Sequence, residues 1–274
     1  MKRATFGLLA APAAVAGALF FALPLGALVV DAFGEGGGAF TRVFALPTFW
    51  PSLAGSAILT LVAASVSTVV GLAVAVHLAS LPERTRTLLS FVIALPLTFS
   101  GLIVAYGFIL GWGRAGFFTQ LLALAGADAA VVGGALFTPV GLAFASSYYL
   151  IPRVVMALLP VLVNFDRTQL IAAESLGATR AQAFRQVLLP QVAGPVAGAA
   201  CLVAAVVFGA YGTALALVGT QLRILPLQLY SLVSETGSDF PAAAALALLI
   251  TAACSAMMAV GEVFGSRHER HLAA

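Results

Sequence analysis

The chain has 274 residues, of which 62% are hydrophobic and 8% are charged. Soluble domains carry about 25% charged residues, and a soluble fold of this size could not bury so much apolar surface. The composition therefore indicates a lipid-embedded protein rather than a soluble one. Cys201 and Cys254 lie inside apolar runs, without the spacing of a disulfide or metal site, so we expect buried free thiols.

Apolar runs long enough to cross a bilayer, about 20 residues each, recur along the chain. The first is far longer than the apolar core of a signal peptide, about 7–15 residues, so we expect a span that is not cleaved. The third contains Pro96, which a span tolerates when neighbouring helices satisfy the freed carbonyl. The sequence predicts an all-α polytopic membrane protein with a single transmembrane domain, 1–274. Its six spans are expected at about 6–30, 53–79, 88–112, 135–159, 192–207 and 242–264.

The 13 basic residues are divided unevenly between the two sides of this predicted bundle. With six spans both termini face one side, and three basic residues, Arg42, Arg114 and Arg223, face the other. The shared side carries the rest, which are Lys2, Arg3, Arg84, Arg86, Arg153, Arg167, Arg180, Arg185, Arg267 and Arg270. Because cytoplasmic loops are enriched in Lys and Arg, the termini are predicted to be cytoplasmic.

The segment between predicted spans four and five, about 164–190, has the pattern of two short helices around Gly177. Gly177 suits a left-handed position that ends the first helix. Thr179 and Gln182 have the spacing of a capping box that starts the second. On the second helix Phe184 lies on an apolar face. We therefore expect a structured cytoplasmic loop, which suggests a docking partner.

This loop is similar to the "EAA" loop of permease subunits in binding-protein-dependent ABC importers. Ile171 stands at the position of the motif's Glu, with Glu174 nearby. The segments 49–56 and 239–247 resemble the entry and the end of the same permease core. The resemblance is greatest to the branch that serves spermidine/putrescine, ferric iron and thiamine, with sulfate and molybdate permeases as a neighbouring branch. The loop positions that match the motif are Ala172, Ala173, Gly177, Val187, Leu189 and Pro190.

The resemblance implies a type I ABC importer permease-like fold in the bacterial inner membrane. It implies a second permease subunit, a copy or a paralogue, and two ATPase subunits that bind ATP and Mg. The short segment before the first span favours a paralogue. It also implies a periplasmic solute-binding protein, no nucleic acid, and no cofactor or metal on this chain. The solute would be small and polar, with a polyamine or another organic cation favoured. The residues expected to contact the ATPase are Ala172, Ala173, Glu174, Ser175, Gly177 and Ala178.

The chain is not expected to be an enzyme. A Walker A loop needs a lysine, and the sole lysine is Lys2, so ATP hydrolysis requires another chain. No charged residue is expected at mid-span, because Arg153 and Glu262 are placed toward cytoplasmic ends, where they reach the interface. The same reading fits His77, although a polar residue at membrane depth can also be functional.

Polar and aromatic residues in the spans are candidates for lining a translocation path. Tyrosine rings can hold an organic cation, but tyrosines near span ends are often interfacial anchors. A stand-alone channel or secondary transporter is the alternative, and it would need intramembrane ionisable groups or broken helices, which are scarce in the sequence. An intramembrane enzyme would need a catalytic pair, and none is visible. The candidate path residues are Tyr106, Ser146, Tyr149, Tyr211 and Thr213.

Overall fold

Helices dominate the protein, and no strand occurs among the residues that the structure describes. In a computed structural model of the chain, these are residue 12 and residues 15–219, 222–234 and 239–272, with side chains as far as Gly265. Lys2, Arg3 and the beginning of the first predicted span lie outside the described residues. The side chains of Arg267 and Arg270 do so as well.

Six helical segments are long and apolar enough to cross a membrane, which confirms the all-α fold and the predicted number of spans. They extend over Val15–Phe33, Phe49–Ser80, Gly101–Leu124, Pro139–Val163, Arg180–Phe208 and Phe240–Gly265.

Fourteen α-helices occur within the described residues. A π-helix, Ala18–Ala22, precedes the first of them, a 3-10 helix, Leu95–Thr98, follows the fourth, and a second π-helix, Phe184–Leu188, follows the tenth. The α-helices are α1 (Leu23–Phe33), α2 (Gly38–Ala45), α3 (Phe49–Ser80), α4 (Glu83–Ala94), α5 (Gly101–Trp112), α6 (Phe117–Leu124), α7 (Ala129–Ala135), α8 (Pro139–Val163), α9 (Thr168–Ser175), α10 (Arg180–Ala183), α11 (Leu189–Phe208), α12 (Gly212–Val218), α13 (Leu225–Ser234) and α14 (Phe240–Leu272).

The third predicted span, 88–112, is not one continuous helix. It is divided between α4 and α5, with extended backbone at Phe99 and Ser100 between them. Pro96 is the second residue of the 3-10 helix that follows α4, and it has no N–H with which to continue α4. The Ser100 hydroxyl accepts a hydrogen bond from the Ile103 N–H and so starts α5. A second interruption separates α11 from α12, at residues 209–211.

Helix α8 forms the centre of the larger core. It packs against α3 and α11, and Leu150, Val154, Val155 and Leu158 on it are buried. Gly71 allows the close approach of α3, since a Cβ there would lie 2.6 Å from Val154 Cβ. Small residues at such crossings let the backbones of membrane helices come together, so the α3–α8 contact is a tightly packed and rigid part of the bundle.

A smaller core joins α14 to α1, α2 and α13, and α14 also packs along α11. At the α11–α14 crossing a Cβ on Gly261 would lie 2.7 Å from Cys201 Cβ. Cys201 and Cys254 are both free, as predicted, although each is half-buried rather than fully buried. The Cys254 thiol donates to the Ala205 carbonyl oxygen across this same contact, at 3.4 Å.

Candidate functional site

The 164–190 loop has the helix–turn–helix form that its sequence predicts. Helix α9 ends at Ser175, and Gly177 has the left-handed φ of 93° that reverses the chain. The Thr179 hydroxyl accepts from the Gln182 N–H, while the Gln182 side chain accepts from the Thr179 N–H, so the capping box is confirmed. The second helix differs from expectation, because after α10 it widens into the π-helix before α11. π-helical turns are often found at functional sites.

The six residues expected to contact an ATPase lie together around this turn, and none of them is buried. Ala173 and Ala178 are half-buried, while the other four are exposed. The Ser175 hydroxyl donates to the Ile171 carbonyl oxygen at 2.9 Å, so this short side chain folds back onto its own helix. The small side chains of the loop are accessible, which permits close approach by another backbone. The exposed four are Ala172, Glu174, Ser175 and Gly177.

Two apolar side chains on the same surface were not among the residues predicted from the sequence. Leu176 is 90% exposed and Ile171 is 63% exposed. No local sequence pattern distinguishes Leu176, and only its solvent exposure shows that the described part of this chain does not cover it. A single exposed apolar side chain is ordinary, but two of them in one short polar loop expose apolar surface among the residues expected to contact an ATPase.

The loop is attached to the membrane-spanning helices by a specific contact. The Arg167 guanidinium donates to the Ala79 carbonyl oxygen in the last turn of α3, which satisfies a carbonyl that the helix leaves unpaired. Hydrogen bonds from the Thr168 hydroxyl and N–H to Asp166 hold the pKa of that carboxyl below its usual value. A cavity of about 230 Å³ lies between the loop and the ends of α3 and α8. A movement of α9 would therefore be transmitted to the end of α3 through the Arg167 hydrogen bond.

A second site lies where two breaks between helices meet. The break before α5 and the break before α12 are adjacent, and a Cβ on Gly101 would lie 2.4 Å from the Thr213 hydroxyl oxygen. Between these breaks and α8 is an open cavity of about 340 Å³, which we call the helix-break cavity. Its lining residues are Pro96, Leu97, Phe99, Ser100, Gly101, Leu102, Tyr149, Arg153, Val206, Ala210, Tyr211, Gly212 and Thr213.

The structure brings together three of the five candidate path residues. Tyr149, Tyr211 and Thr213 line the helix-break cavity. Tyr106 does not, since it lies on the outer face of α5 and is 57% exposed, and Ser146 is buried in the helix packing. Residues four apart share a face of a helix, which places Tyr149 and Arg153 on the same face of α8.

Arg153 is the charged residue of this cavity, and it lies farther from the end of its helix than the sequence predicts. It was expected near the cytoplasmic end of its span, but α8 begins at Pro139 and ends at Val163, so Arg153 lies about 15 Å before the end. The helix starts later than predicted because the Thr138 hydroxyl caps it and Pro139 takes the first position. An arginine at the centre of a span costs about 2.5–3.5 kcal/mol in insertion measurements, so a functional role is the default interpretation.

An ion-pair cluster joins the beginning of α14 to α2. Arg42 donates from Nε to Asp239 Oδ2 at 3.0 Å and from Nη2 to Asp239 Oδ1 at 3.1 Å, and it also contacts Glu35. The guanidinium holds the pKa of Asp239 below its usual value, against the opposing effect of partial burial. The Asp239 carboxylate also accepts from the Ala242 N–H. These contacts fix the end of the bundle where α14 enters it.

Comparison with known proteins identifies the family of this chain. No family model matches it. It is 31% identical to "Sulfate permease 2, chloroplastic" of Chlamydomonas reinhardtii and 31% identical to "Spermidine/putrescine transport system permease protein PotB" of Salmonella typhimurium. These matches cover 60% and 56% of this chain, but only 42% and 53% of the relatives, so the chain spans about half their length.

A third relative is matched over most of both proteins. The chain is 30% identical over 242 residues to "Sulfate transport system permease protein CysT" of Salmonella typhimurium, covering 86% of this chain and 83% of the relative. The chain belongs to the ABC importer permeases. This permease is a multi-pass membrane protein, in agreement with its six apolar spans.

Solved structures show the same fold. The permease superposes on a chain of a bacterial alginate ABC transporter, solved with an alginate pentasaccharide-bound periplasmic protein, with a TM-score of 0.71 and 16% identity. That match covers 96% of this chain and 94% of the other. A second alginate-importer structure gives a TM-score of 0.68 over 93% of each chain, also at 16% identity. At this identity the likeness supports the arrangement of helices only.

Proposed function

We propose that this permease forms half of a translocation path for a small polar solute and is driven by a separate ATPase that binds the 164–190 loop. The observation that carries the proposal is the exposed surface of α9 and of the left-handed turn at Gly177. Small residues lie there together with the uncovered side chains of Ile171 and Leu176. Exposed apolar side chains on a structured loop are typical of a protein interface.

Two connections would transmit a movement of the loop to the membrane-spanning helices. The hydrogen bond from Arg167 connects it to the end of α3, and the π-helix Phe184–Leu188 runs directly into α11. Both α3 and α11 pack on α8, which lines the helix-break cavity. A closing ATPase that displaces α9 would thus shift the helices around the path, without any catalytic group on this chain.

The assembly that this function requires has several parts. We propose a second permease subunit, a copy or a paralogue, two ATPase subunits that bind ATP and Mg, and a periplasmic solute-binding protein. The alginate importer solved with its periplasmic protein supports the last of these. The uneven distribution of basic residues supports an inner-membrane orientation with both termini cytoplasmic, which places the 164–190 loop on the ATPase side.

The solute is not identified by the relatives, whose names give both spermidine/putrescine and sulfate. The sequence alone favoured a polyamine or another organic cation, on the basis of tyrosines that can hold a cation by their rings. Two of those tyrosines do line the helix-break cavity, but an arginine lines it with them. We therefore propose a small polar solute.

One observation favours the alternative of a transporter that works without an ATPase. The predicted third span is interrupted and an ionisable residue lies well inside a span, and these are features that secondary transporters use for coupling. The sequence indicated that such features are scarce, and the structure contains both. Family membership favours the ATP-driven importer, and transport by the chain without an ATPase would favour the alternative.

Substitution of Leu176 by Gln tests the proposed ATPase contact. We expect Leu176→Gln to weaken association by about tenfold or more, because burying a leucine is worth about 1.5–3 kcal/mol. The measurement is the amount of ATPase that co-purifies with tagged permease from its native host. Leu176 makes a better test than Gly177, since any side chain at Gly177 would strain the backbone whether or not an ATPase binds.

Leu124→Gln provides the matched control. Leu124 is 88% exposed, nearly as much as Leu176, but it lies at the end of α6, in a different loop. The control should retain the ATPase, and both variants should unfold at the wild-type temperature. Equal recovery of ATPase with Leu176→Gln and wild type would contradict the assignment, and so would an equal loss with Leu124→Gln.

A further inference from the structure

We infer that the solute of this permease is an anion, which passes the Arg153 guanidinium in the helix-break cavity. The inference rests on the proposed function, because it takes the cavity to be part of a solute path. It names the charge of the solute, which neither the relatives nor the coupling loop determine.

Arg153 lies where a membrane protein rarely places a charge without use. Of the six spans, the one formed by α8 has the largest share of its residues buried inside the protein, so α8 is a central helix. Val154 and Val155, which follow Arg153, are fully buried, whereas Arg153 is half-buried and lines the cavity. The charge is thus directed into an opening within the bundle.

No carboxylate of the described residues neutralises this arginine. The ion pairs within the described part of the chain are those of Arg42 with Glu35 and Asp239, between α2 and the ends of α1 and α14. No Asp or Glu is among the residues that line the helix-break cavity. A buried or half-buried charge normally has a partner, so the charge of Arg153 is available for a ligand.

The other polar groups of the cavity suit an anion. The hydroxyl groups of Tyr149, Tyr211 and Thr213 can donate hydrogen bonds. The amino end of α5, capped by Ser100, adds partial positive charge of the same sign. A polyamine would bring two or more positive charges toward Arg153 and would meet no carboxylate among the residues that line the cavity. The tyrosine rings alone would have to outweigh that repulsion.

The charge of the cavity can be measured without knowing the solute. In the intact complex, Cys201→Ala and Cys254→Ala remove the native thiols, and Ala210→Cys introduces one on the cavity wall. We would compare its reaction rates with anionic 2-sulfonatoethyl methanethiosulfonate and cationic 2-(trimethylammonium)ethyl methanethiosulfonate. The anionic reagent should be favoured, and Arg153→Gln should lower the ratio of the two rates by about tenfold, whereas Arg153→Lys should preserve it.

A ratio that Arg153→Gln leaves unchanged would overturn the inference, because a carboxylate of the second permease would then be neutralising Arg153. Failure of both reagents to react would overturn it as well, since the cavity would not be an open path. These results are independent of ATPase binding, which Leu176→Gln tests. Arg153→Gln should leave ATPase recovery at the wild-type level, so the two proposals fail separately.

The solute itself provides the second test. Mass spectrometry of the ligand carried by the co-purifying solute-binding protein would give its composition and its charge at neutral pH. The inference predicts a net anion whose ATP-dependent uptake falls at least about tenfold with Arg153→Gln and is largely retained with Arg153→Lys. A neutral or cationic ligand would contradict it.

Discussion

At the scale of single residues, arginine is used differently at one end of this permease and inside the helix-break cavity. Arg42 and Asp239 form a bidentate pair at one end, where both side chains remain partly exposed. Arg153 is the one charged residue among those lining the helix-break cavity, and no ion pair of it occurs within the described part of the chain. The same residue type thus fixes structure in one place and is available to a ligand in the other.

The pair of Arg42 and Asp239 makes stability depend on pH. Because the pKa of Asp239 is lowered in the folded state, its contribution is present above the unfolded pKa, near 4, and is lost as pH falls through the lowered value. Asp239→Asn removes the charge but keeps an oxygen for the Ala242 N–H. We expect the variant to melt below wild type at about pH 6 and the difference to shrink as the pH is lowered below about 4.

Asp128→Asn is the control for this measurement. Asp128 caps α7 by accepting from the Ala130 and Val131 N–H groups, and no salt bridge of it is found among the described residues. Its substitution therefore measures the effect of exchanging a capping carboxylate for an amide at a site without an ion pair among the described residues. An Asp239→Asn difference that persists at low pH would show that the hydrogen-bond cap, rather than the ion pair, stabilises this end.

At the scale of helices, the contact between α3 and α8 depends on the absence of a side chain at Gly71. Gly71→Ala would place a Cβ 2.6 Å from Val154 Cβ and 3.3 Å from the Ile151 carbonyl oxygen. Because Val154 is fully buried, the helices must separate, and such overpacking costs about 1–3 kcal/mol. We expect a lower melting temperature in detergent, followed by tryptophan fluorescence.

Gly107→Ala is the matched control in another spanning helix. A Cβ at Gly107 would meet no atom within 4 Å, so the substitution gains helix propensity without a clash. It should leave the melting temperature unchanged or raise it. A fall as large as that of Gly71→Ala would indicate a general effect of removing glycine rather than tight packing of α3 on α8.

The sequence predicted those features that depend on residues close together in the chain. Span number followed from apolar length, and the capping box from Thr179 and Gln182 three residues apart. The break at Ser100 was missed, because Pro96 is compatible both with a continuous span and with an interruption. The helix-break cavity was missed because it joins α5, α8 and α12, and no local pattern reveals which residues face one another.

At the scale of the whole molecule, the proposed function makes this permease half of a translocation path and assigns ATP hydrolysis to another chain. The sequence contains no Walker A lysine, and the relatives are permease subunits of transport systems. The 164–190 loop presents an uncovered surface at one end, and α3 and α11 connect it to the helix around which the cavity forms. In this account the translocation path and the ATPase that drives it are separate chains in contact at α9.

Reconstitution in proteoliposomes tests this claim most directly. The purified permease would be assayed for uptake of the ligand identified on the binding protein, alone and then with the co-purifying ATPase, the binding protein and ATP. The account predicts no uptake by the permease alone, ATP-dependent uptake by the full assembly, and loss of that uptake with Leu176→Gln but not with Leu124→Gln. Uptake by the permease in the absence of the ATPase would contradict it.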